Sequence, residues 1–334
     1  HPNAFYLRTR QRGMQNWDGK IHYITKTGQF KIGLLPKVYD MCIEMGIKPK
    51  VVDMRQPLPK VSKVVTNIGK YKLRPEQEKA VKSVINNRVG DTPFHIGVLD
   101  YTVNAGKTLI MSSLYLTYKK QLKTLLITND SDWLNQAREE FKQYLPGEDI
   151  TFVQGKVLNW SNFTIGMVQS ISRNMRFYQK ELSQIDMVLV DEADQGGSKQ
   201  YQNVITRLFN TRIRIGLSGT IYMSKLAKDK VKNMNLECFF GKVIAEFKLK
   251  DSIKKGYSTK TIVKMVPGKP WYGNWESDCI SYKEIYDDSI TENNTAWTMA
   301  YNRLRWNINQ GRYPALVVCK HIAHCENLYK FFKK

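Results

Sequence analysis

Short apolar runs rich in β-branched residues alternate with longer helical stretches between residues 69 and 250. Five of these runs read as buried strands: FHIGVL, TLLIT, FTIGMV, DMVLV and IRIGL. Stretches such as TLIMSSLYLTYKKQL and LNQAREEFKQYL lie between them and read as helices. Continuous apolar strands separated by helices are typical of a parallel sheet that is covered on both faces. The pattern therefore predicts an α/β domain over residues 69–250.

The first 68 residues have a different texture, which predicts a small α+β unit. KIHYI and QFKIGL read as two strands joined by a turn over Thr25–Gly28, and KVVDM reads as a returning strand. Between them, PKVYDMCIEMG has Pro36 at a helix start and Gly46 at its end.

A charged stretch, KLKDSIKKGYSTK, follows the α/β domain and leads into another βα pattern. TIVKMV and PALVVC read as strands, and a long polar helix is expected between them around Tyr286–Asn309. Residues 251–334 are therefore predicted to be a linker and the beginning of a second lobe.

Composition adds a strong basic charge. The chain of 334 residues has 52 Lys and Arg against 30 Asp and Glu, a net charge of +22. An excess of this size favours a polyanionic partner such as nucleic acid, because phosphate contacts release counterions. In the first unit, Phe5, Tyr6, Trp17 and Tyr23 lie among basic residues, a mixture that suits a nucleic-acid surface and core packing equally well.

Other features argue against a membrane protein or a secreted protein. No run approaches the roughly 20 apolar residues that a membrane span needs. The start, HPNAFYLRTRQRG, has no apolar signal region, and the five cysteines include no Cys-x-x-Cys pair. These observations favour reduced thiols in a cytoplasm.

The candidate chemistry begins at YTVNAGKT, which ends as a phosphate-binding loop ends. The loop follows a strand and opens a helix, so backbone N–H groups and a helix N-terminus would face a phosphate. Gly106 lets the backbone approach the phosphate, Lys107 supplies positive charge, and Thr108 can hold Mg²⁺. Asn104 takes another position often held by Gly, and Asn tolerates left-handed backbone. Tyr101 is an anomaly, because a small residue is expected there.

A second motif, VLVDEAD, is an apolar strand that ends in paired acids. A nucleotide site needs a metal ligand and a water-activating base at such a strand end. Asp191 would hold Mg²⁺ through water, and Glu192 would orient the attacking water. A strand running into an acidic turn is the simpler alternative, but the phosphate loop upstream in the same βα array favours the site.

These motifs together resemble those of superfamily 2 helicases. YKLRPEQEKAV resembles the motif that precedes the phosphate loop, where Arg74 and Gln77 would flank the adenine. GLSGT resembles the motif that couples hydrolysis to DNA movement, through Ser218 and Thr220. The resemblance implies RecA-like lobes with ATP and Mg²⁺ as cofactors. The residues that it assigns to them are Arg74, Gln77, Asn104, Ala105, Gly106, Lys107, Thr108, Asp191 and Glu192.

Further segments resemble the nucleic-acid contacts of these helicases. MVQSI resembles the strand-end motif that touches the backbone, and LVVCKHIAHCENL resembles the first conserved segment of the second lobe. TNDSDWLNQ stands where the family has Pro-Thr-x-x-Leu-x-x-Gln, and Asn129, Asp130 and Trp133 depart from that pattern. The residues that the resemblance assigns to DNA contact are Gln136, Gln169, Ser170 and Lys320.

More narrowly, NWDGKIHYI and NAGKTLI resemble the UvsW-type helicases of bacteriophages. Those are DNA-dependent ATPases that migrate branches, regress forks and unwind recombination intermediates. In that subgroup the loop has the form T-S-A-G-[KR]-S, so TVNAGKT is a modest variant. The resemblance implies a monomer that acts on branched or forked DNA in the cytoplasm of an infected bacterium.

The family's last motifs include arginines that reach the γ-phosphate, and they have no counterpart before Lys334. A fragment of a longer helicase is therefore expected. Two alternatives stay open, an RNA helicase and a non-hydrolysing, nucleotide-gated DNA-binding protein. The extended RNA-helicase pattern upstream is missing, which weighs against the first. The second is motivated by Tyr101 and the missing arginines, whereas intact Lys107, Asp191 and Glu192 weigh against it.

Overall fold

The computed structural model describes residues 18–118, 121–155, 157–221, 227–260, 286, 291, 293–312 and 316–333, except for the side chains of residues 157–158 and 227–229. The chain divides into two compact units, residues 1–260 and residues 261–334. Three of the aromatic residues that suit either a nucleic-acid surface or core packing, Phe5, Tyr6 and Trp17, lie outside the described residues, as does the TIVKMV run.

Helices and strands alternate through the described part of the chain. The strands are β1 (Asn67–Ile68), β2 (Tyr71–Lys72), β3 (Arg88–Val89), β4 (Thr92–Pro93), β5 (Ile96–Tyr101), β6 (Thr124–Thr128), β7 (Ile150–Gln154), β8 (Val157–Leu158), β9 (Phe163–Met167), β10 (Met187–Asp191), β11 (Ile213–Ser218) and β12 (Val243–Phe247). The α-helices are α1 (Leu35–Glu44), α2 (Pro75–Asn86), α3 (Lys107–Thr117), α4 (Ser131–Tyr144), α5 (Val168–Asn174), α6 (Gln179–Ser183), α7 (Lys199–Ile205), α8 (Ala227–Phe240), α9 (Leu249–Lys254), α10 (Asn294–Asn309) and α11 (Ile322–Lys333).

A central sheet with the strand order β12-β5-β11-β10-β6-β9-β7-β8 organises the first unit. Its strands run parallel from β12 to β7, and only β8 among those described is antiparallel. The five apolar runs form its middle strands, β5, β11, β10, β6 and β9. The predicted α/β class with a RecA-like parallel sheet is confirmed. The run pattern missed β7 and β12, because strands near a sheet edge are only partly buried and lack a continuous apolar run.

Alternate residues of each middle strand enter two different apolar cores. Along β10, Met187 and Leu189 pack on the side of α2, α3 and α4, whereas Val188 and Val190 pack on the side of α5, α7 and α8. Burying a side chain of this size stabilises the fold by roughly 1.5–3 kcal/mol. Because both faces are covered, the carboxyl ends of the strands form one edge at which loops can meet.

Residues 18–68 pack against this lobe, and their structure differs from the predicted strands. Ile24 and Phe30 form a single antiparallel bridge around a turn, and residues 32–34 are a 3₁₀ helix. A Cβ on Gly33 would lie 2.1 Å from the carbonyl oxygen of Glu237, so the backbone of this segment packs closely against α8. The predicted two-strand pairing is therefore wrong beyond that one bridge.

The helix that the sequence predicts within residues 1–68 is confirmed. Pro36 lies in the first turn of α1, and Gly46 follows the helix with a φ of +78°. KVVDM forms no strand, and the carbonyl oxygen of Val51 instead accepts a hydrogen bond from the Thr92 hydroxyl at 3.3 Å. The domain boundary at residue 68 stays a prediction.

In the second unit, α10 begins at the cap residue Asn293, whose Oδ1 accepts hydrogen bonds from the N–H groups of Thr295 and Ala296 at 3.0 Å. Helix α10 confirms the polar helix that the sequence predicts there. Residues 316–319 form no strand and include the exposed Leu316 and Val318, so the strand expected at PALVVC is absent from the described residues. None of the described helices combines the length and apolarity needed to cross a membrane.

Candidate nucleotide-binding site

The phosphate loop connects the end of β5 to the start of α3. Asn104 has a φ of +63° and Gly106 a φ of +75°, so both adopt left-handed backbone. At Gly106 a Cβ would lie 2.3 Å from Nε2 of Gln77, so a larger residue would require the buried Gln77 side chain to shift. Helix α3 then begins at Lys107, and the first N–H groups of a helix have no partner inside it. The loop therefore has the local geometry of an anion-binding helix N-terminus.

Tyr101, the anomalous residue of the motif, points away from this loop into the core. Its side chain is fully buried, and its hydroxyl donates a hydrogen bond of 2.8 Å to the carbonyl oxygen of Glu76 on α2. Its ring lies 6.0 Å from the ring of Phe247 on β12. Burial raises the pKa of Tyr101 to about 12, so the hydroxyl stays a donor. A large residue at this position fills space between β5, β12 and α2 and leaves the loop open.

Arg74 and Gln77 hold the phosphate loop from its carbonyl side. Nε2 of Gln77 donates to the carbonyl oxygen of Ala105 at 2.9 Å, and Nη2 of Arg74 donates to the same oxygen at 2.8 Å and to that of Asn104 at 3.3 Å. Oε1 of Gln77 accepts from the N–H of Arg74 at 2.8 Å, which closes a capping box at the start of α2. The two residues predicted to flank the adenine thus also support the loop.

Three residues beside this support were missed by sequence reasoning. The buried Glu76 carboxylate pairs with Nε of Arg74 at 3.1 Å and with Nζ of Lys255 at 2.8 Å. The guanidinium of Arg74 also lies 4.2 Å from the ring centroid of Tyr257. These contacts connect the segment after α9 to the phosphate loop. The sequence feature that could have pointed to Lys255 and Tyr257 is the basic and aromatic stretch KKGY.

Lys107 lies between Asp191 and Glu192, the first two residues of the acid motif (residues 191–194) that ends VLVDEAD. Its Nζ is 3.5 Å from Oδ1 of Asp191 and 3.3 Å from Oε1 of Glu192. Asp191 ends β10 and is almost fully buried, whereas 43% of the Glu192 side chain is exposed. Glu192 has a φ of +50°, which is uncommon for a residue other than glycine and is a form of strain found at functional sites.

The electrostatics of Asp191 suit a cation ligand. Burial raises the pKa of Asp191, the charge of Glu192 raises it further, and Lys107 opposes both. Its Oδ1 is buried and accepts no hydrogen bond, and its cationic neighbour is Nζ of Lys107 at 3.5 Å, so a metal ion would add a partner for this oxygen. With the Thr108 hydroxyl on the first turn of α3, this carboxylate fits Mg²⁺, which needs only one or two protein ligands beside phosphates and waters.

A cavity of about 390 Å³ joins these groups. Gln136, which the resemblance assigned to DNA contact, lines this cavity, and its Nε2 donates to Oε1 of Glu140 at 2.7 Å. Its contact with DNA stays a prediction. Sequence reasoning missed the other cavity residues of α4, although their helical spacing puts them on one face of that helix. The cavity is lined by Val103, Asn104, Gly106, Lys107, Thr108, Leu109, Trp133, Gln136, Glu140, Tyr144, Asp191 and Glu192.

The proposed coupling residues lie beside the acid motif and outside the cavity lining. The Ser218 hydroxyl donates to Oδ1 of Asp194 at 3.1 Å, and the N–H of Thr220 donates to the Ser218 hydroxyl oxygen at 3.2 Å. Burial raises the pKa of Asp194, and the hydrogen bond from Ser218 lowers it. Because β10 and β11 are neighbours in the sheet, their ends bring these two motifs together.

The remaining residues assigned to DNA contact lie elsewhere. Nε2 of Gln169 donates to the carbonyl oxygen of Asn129 at 3.2 Å, while the buried hydroxyl of Ser170 accepts from the N–H of Gly155 at 2.9 Å. Lys320 belongs to the second unit, where its Nζ lies 5.3 Å from the ring centroid of Tyr286. Their contact with DNA stays a prediction.

Residues 70–223 match a family described as the type III restriction enzyme, res subunit. This span includes the phosphate loop, its supports on α2, the acid motif and the coupling motif. A sequence relative, the ATP-dependent DNA helicase uvsW of Enterobacteria phage T4, is 22% identical over 228 residues. That match covers 62% of this chain and 43% of the relative, so it spans less than half of the relative's length.

Two solved structures have a similar fold. A crystal structure of the UvsW helicase from bacteriophage T4 matches with a TM-score of 0.54 and 21% identity, covering 73% of this chain and 93% of that chain. A second crystal structure of T4 UvsW matches with a TM-score of 0.54 and 20% identity, covering 95% of this chain and 64% of that chain. At this level of identity, the likeness shows the fold.

Proposed function

We propose that this chain, whose motifs and fold resemble those of superfamily 2 helicases of the UvsW type, is an ATP-dependent DNA helicase or translocase that remodels branched DNA. The observation that carries the proposal is the position of Lys107, 3.5 Å from Asp191 and 3.3 Å from Glu192, at the carboxyl edge of a parallel sheet. In sheets of this type, ligands bind beyond the carboxyl ends of the strands.

Four residues of the cavity, Lys107, Thr108, Asp191 and Glu192, have defined parts in the proposed hydrolysis. The N-terminus of α3 and Lys107 bind the phosphates of ATP, and this draws Lys107 away from Glu192. The freed Glu192 carboxylate, which is partly exposed, then orients a water and accepts its proton. Thr108 and Asp191 are the residues that would hold Mg²⁺, whose chemistry when bound is to neutralise charge on the phosphates.

The contacts around the cavity favour coupling of hydrolysis to movement. Ser218 bonds Asp194 directly, so a change at the acid motif reaches the loop that contains Thr220. The net charge of +22 suits a DNA partner that is bound through its phosphates with little sequence specificity. The family resemblance adds branched or forked DNA as the substrate, a monomeric state and the cytoplasm of an infected bacterium.

The first test is ATP hydrolysis by this chain with and without forked DNA. We expect turnover that forked DNA stimulates and that Lys107→Ala and Glu192→Gln abolish, while the exposed control Lys142→Ala retains it. ATP binding that depends on Lys107 without any turnover would establish the nucleotide site and count against hydrolysis by this chain alone. An absence of ATP binding would refute the proposal.

The DNA substrate needs a separate comparison. Forked DNA, linear duplex DNA and single-stranded RNA would be offered at equal nucleotide concentration, and ATPase stimulation and strand separation measured for each. We expect the largest stimulation with forked DNA. A preference for single-stranded RNA would instead support the RNA-helicase alternative.

A further inference from the structure

A cluster of cationic side chains lies at the edge of the sheet opposite the nucleotide-binding cavity. Arg214 is near the amino end of β11 and is only 7% exposed, whereas Ser218 at the carboxyl end adjoins the acid motif. Four residues of a parallel strand span about 13 Å. The cluster and the cavity are therefore separate places in the first unit.

Arg214 is a buried cation without a carboxylate partner among the described residues. Its Nη1 donates to the carbonyl oxygen of Phe239 at 3.2 Å, while its Nε is buried and makes no hydrogen bond. Burial lowers the pKa of Arg214 to about 10, with a contribution from Arg55, so the group is still charged at neutral pH. Burying such a charge is costly unless an anion pairs with it.

The neighbouring guanidinium groups share a single acid. Arg55 binds Asp53 through two hydrogen bonds of 2.7 and 2.9 Å, and Nη2 of Arg212 lies 3.4 Å from the same carboxylate. The Nε of Arg212 is also buried without a hydrogen bond. One carboxylate therefore serves two guanidinium groups, and Arg214 adds a third cation.

A cavity of about 240 Å³ opens beside Arg214. Lys31, Arg55, Arg214 and Thr206 form the polar part of its lining, and the rest is mostly apolar, including the exposed Phe209. The cavity has several times the volume that one water needs. A tetrahedral oxyanion would fit this space beside the cationic side chains of Lys31 and Arg214.

We propose that this cavity is a phosphate-binding site, distinct from the nucleotide-binding site, in which Arg214 and Lys31 hold one phosphate group. The excess of cations over the single Asp53 carboxylate favours an anion over a neutral ligand. The phosphate comes either from free inorganic phosphate or from the backbone of bound DNA. The two sources share the same recognition chemistry.

The test measures inorganic phosphate binding by calorimetry and thermal shift in the Lys107→Ala background, which removes phosphate binding at the loop. We expect phosphate to raise the melting temperature of this variant. We also expect Arg214→Gln added to it to weaken phosphate binding by about tenfold or more, since hydrogen bonds to charged groups are the strong ones. Equal phosphate binding with and without Arg214→Gln would overturn the proposal.

Lys31 supplies a second variant, because substitution of the buried Arg214 can prevent folding. Lys31 is exposed, so Lys31→Gln should fold and weaken phosphate binding a few-fold, whereas its neighbour Lys26→Gln, outside the cavity lining, should not. Equal binding by the two lysine variants would contradict the proposal even if Arg214→Gln cannot be purified.

A DNA-binding arm distinguishes the two phosphate sources. The salt dependence of duplex affinity is compared for the chain with and without Lys31→Gln. If the site holds a DNA phosphate, the slope of log affinity against log salt should fall by about one. An unchanged slope combined with weakened phosphate binding assigns the site to free phosphate.

Discussion

Tyr101 offers the sharpest test of the site, because two explanations of this residue predict opposite results. If the tyrosine obstructed the phosphate loop, replacing it by a small residue should improve ATP binding. The structure instead buries the ring fully against Phe247 and bonds its hydroxyl to the carbonyl oxygen of Glu76 at 2.8 Å. We therefore expect Tyr101→Ala to destabilise the first unit and to leave ATP affinity no better.

The magnitude follows from what each substitution removes. Deleting a fully buried aromatic side chain costs about 3–5 kcal/mol, because it leaves a cavity as well as losing burial. Tyr101→Phe keeps the ring and loses one hydrogen bond, which costs about 1 kcal/mol. For a unit of this size, 1 kcal/mol shifts the melting temperature by about 2–4 °C. The expected losses are thus about 6–20 °C for Ala and about 2–4 °C for Phe.

The assay combines thermal unfolding with binding of a fluorescent ATP analogue at a temperature where every variant is folded. Tyr101→Phe is the matched control, since it preserves the packing against Phe247. ATP affinity that rises in Tyr101→Ala without a loss of melting temperature would refute this assignment. It would mean that the ring occupies the loop in solution.

Three further predictions concern the groups around the cavity. Asp191→Asn should abolish hydrolysis yet raise the melting temperature at neutral pH. The pKa of Asp191 is higher in the folded chain than in the unfolded chain, so the ionised carboxylate destabilises the fold at pH values above the folded pKa. The gain in melting temperature over the native chain should therefore shrink as pH falls through the folded pKa toward the unfolded value of 3.8. Ser218→Ala breaks the hydrogen bond to Asp194, so strand separation per ATP hydrolysed should fall while hydrolysis persists; equal loss of both would contradict a coupling role. Gln77→Ala removes one of the two hydrogen bonds to the Ala105 carbonyl oxygen, leaves the one from Arg74, and should weaken ATP binding about tenfold, measured by analogue titration. Gln77→Glu should not restore binding, because it lacks the donor.

Much of the site could be predicted from sequence because its geometry is local. The left-handed backbone of Asn104 and Gly106 is set by the tight turn of the phosphate loop, which involves only a few consecutive residues. Helix α3 begins where the loop after β5 ends, so its N-terminus faces the loop however the rest of the lobe packs. The pairing of Lys107 with the acid motif also follows, since the ends of parallel strands meet at one edge of the sheet.

Residues with long-range partners could not be predicted in this way. The place of Gln136 in the nucleotide cavity depends on how α4 packs against α3, which local spacing does not set. The segment around Gly33 packs against α8, which lies about 200 residues later in the chain, although the local pattern of this segment favours a strand. Such contacts override local propensity because burial against a distant element outweighs the small preferences of single residues.

By itself, then, the sequence determined the parallel α/β class, the phosphate loop and the paired acids that face it. Periodicity and motif chemistry act over a few residues and are therefore written along the chain. Only the tertiary structure decided that Tyr101 supports the loop from the core and that Arg214 is a buried cation beside an open cavity. The physical reason is that burial and pairing depend on which distant residues the fold brings together.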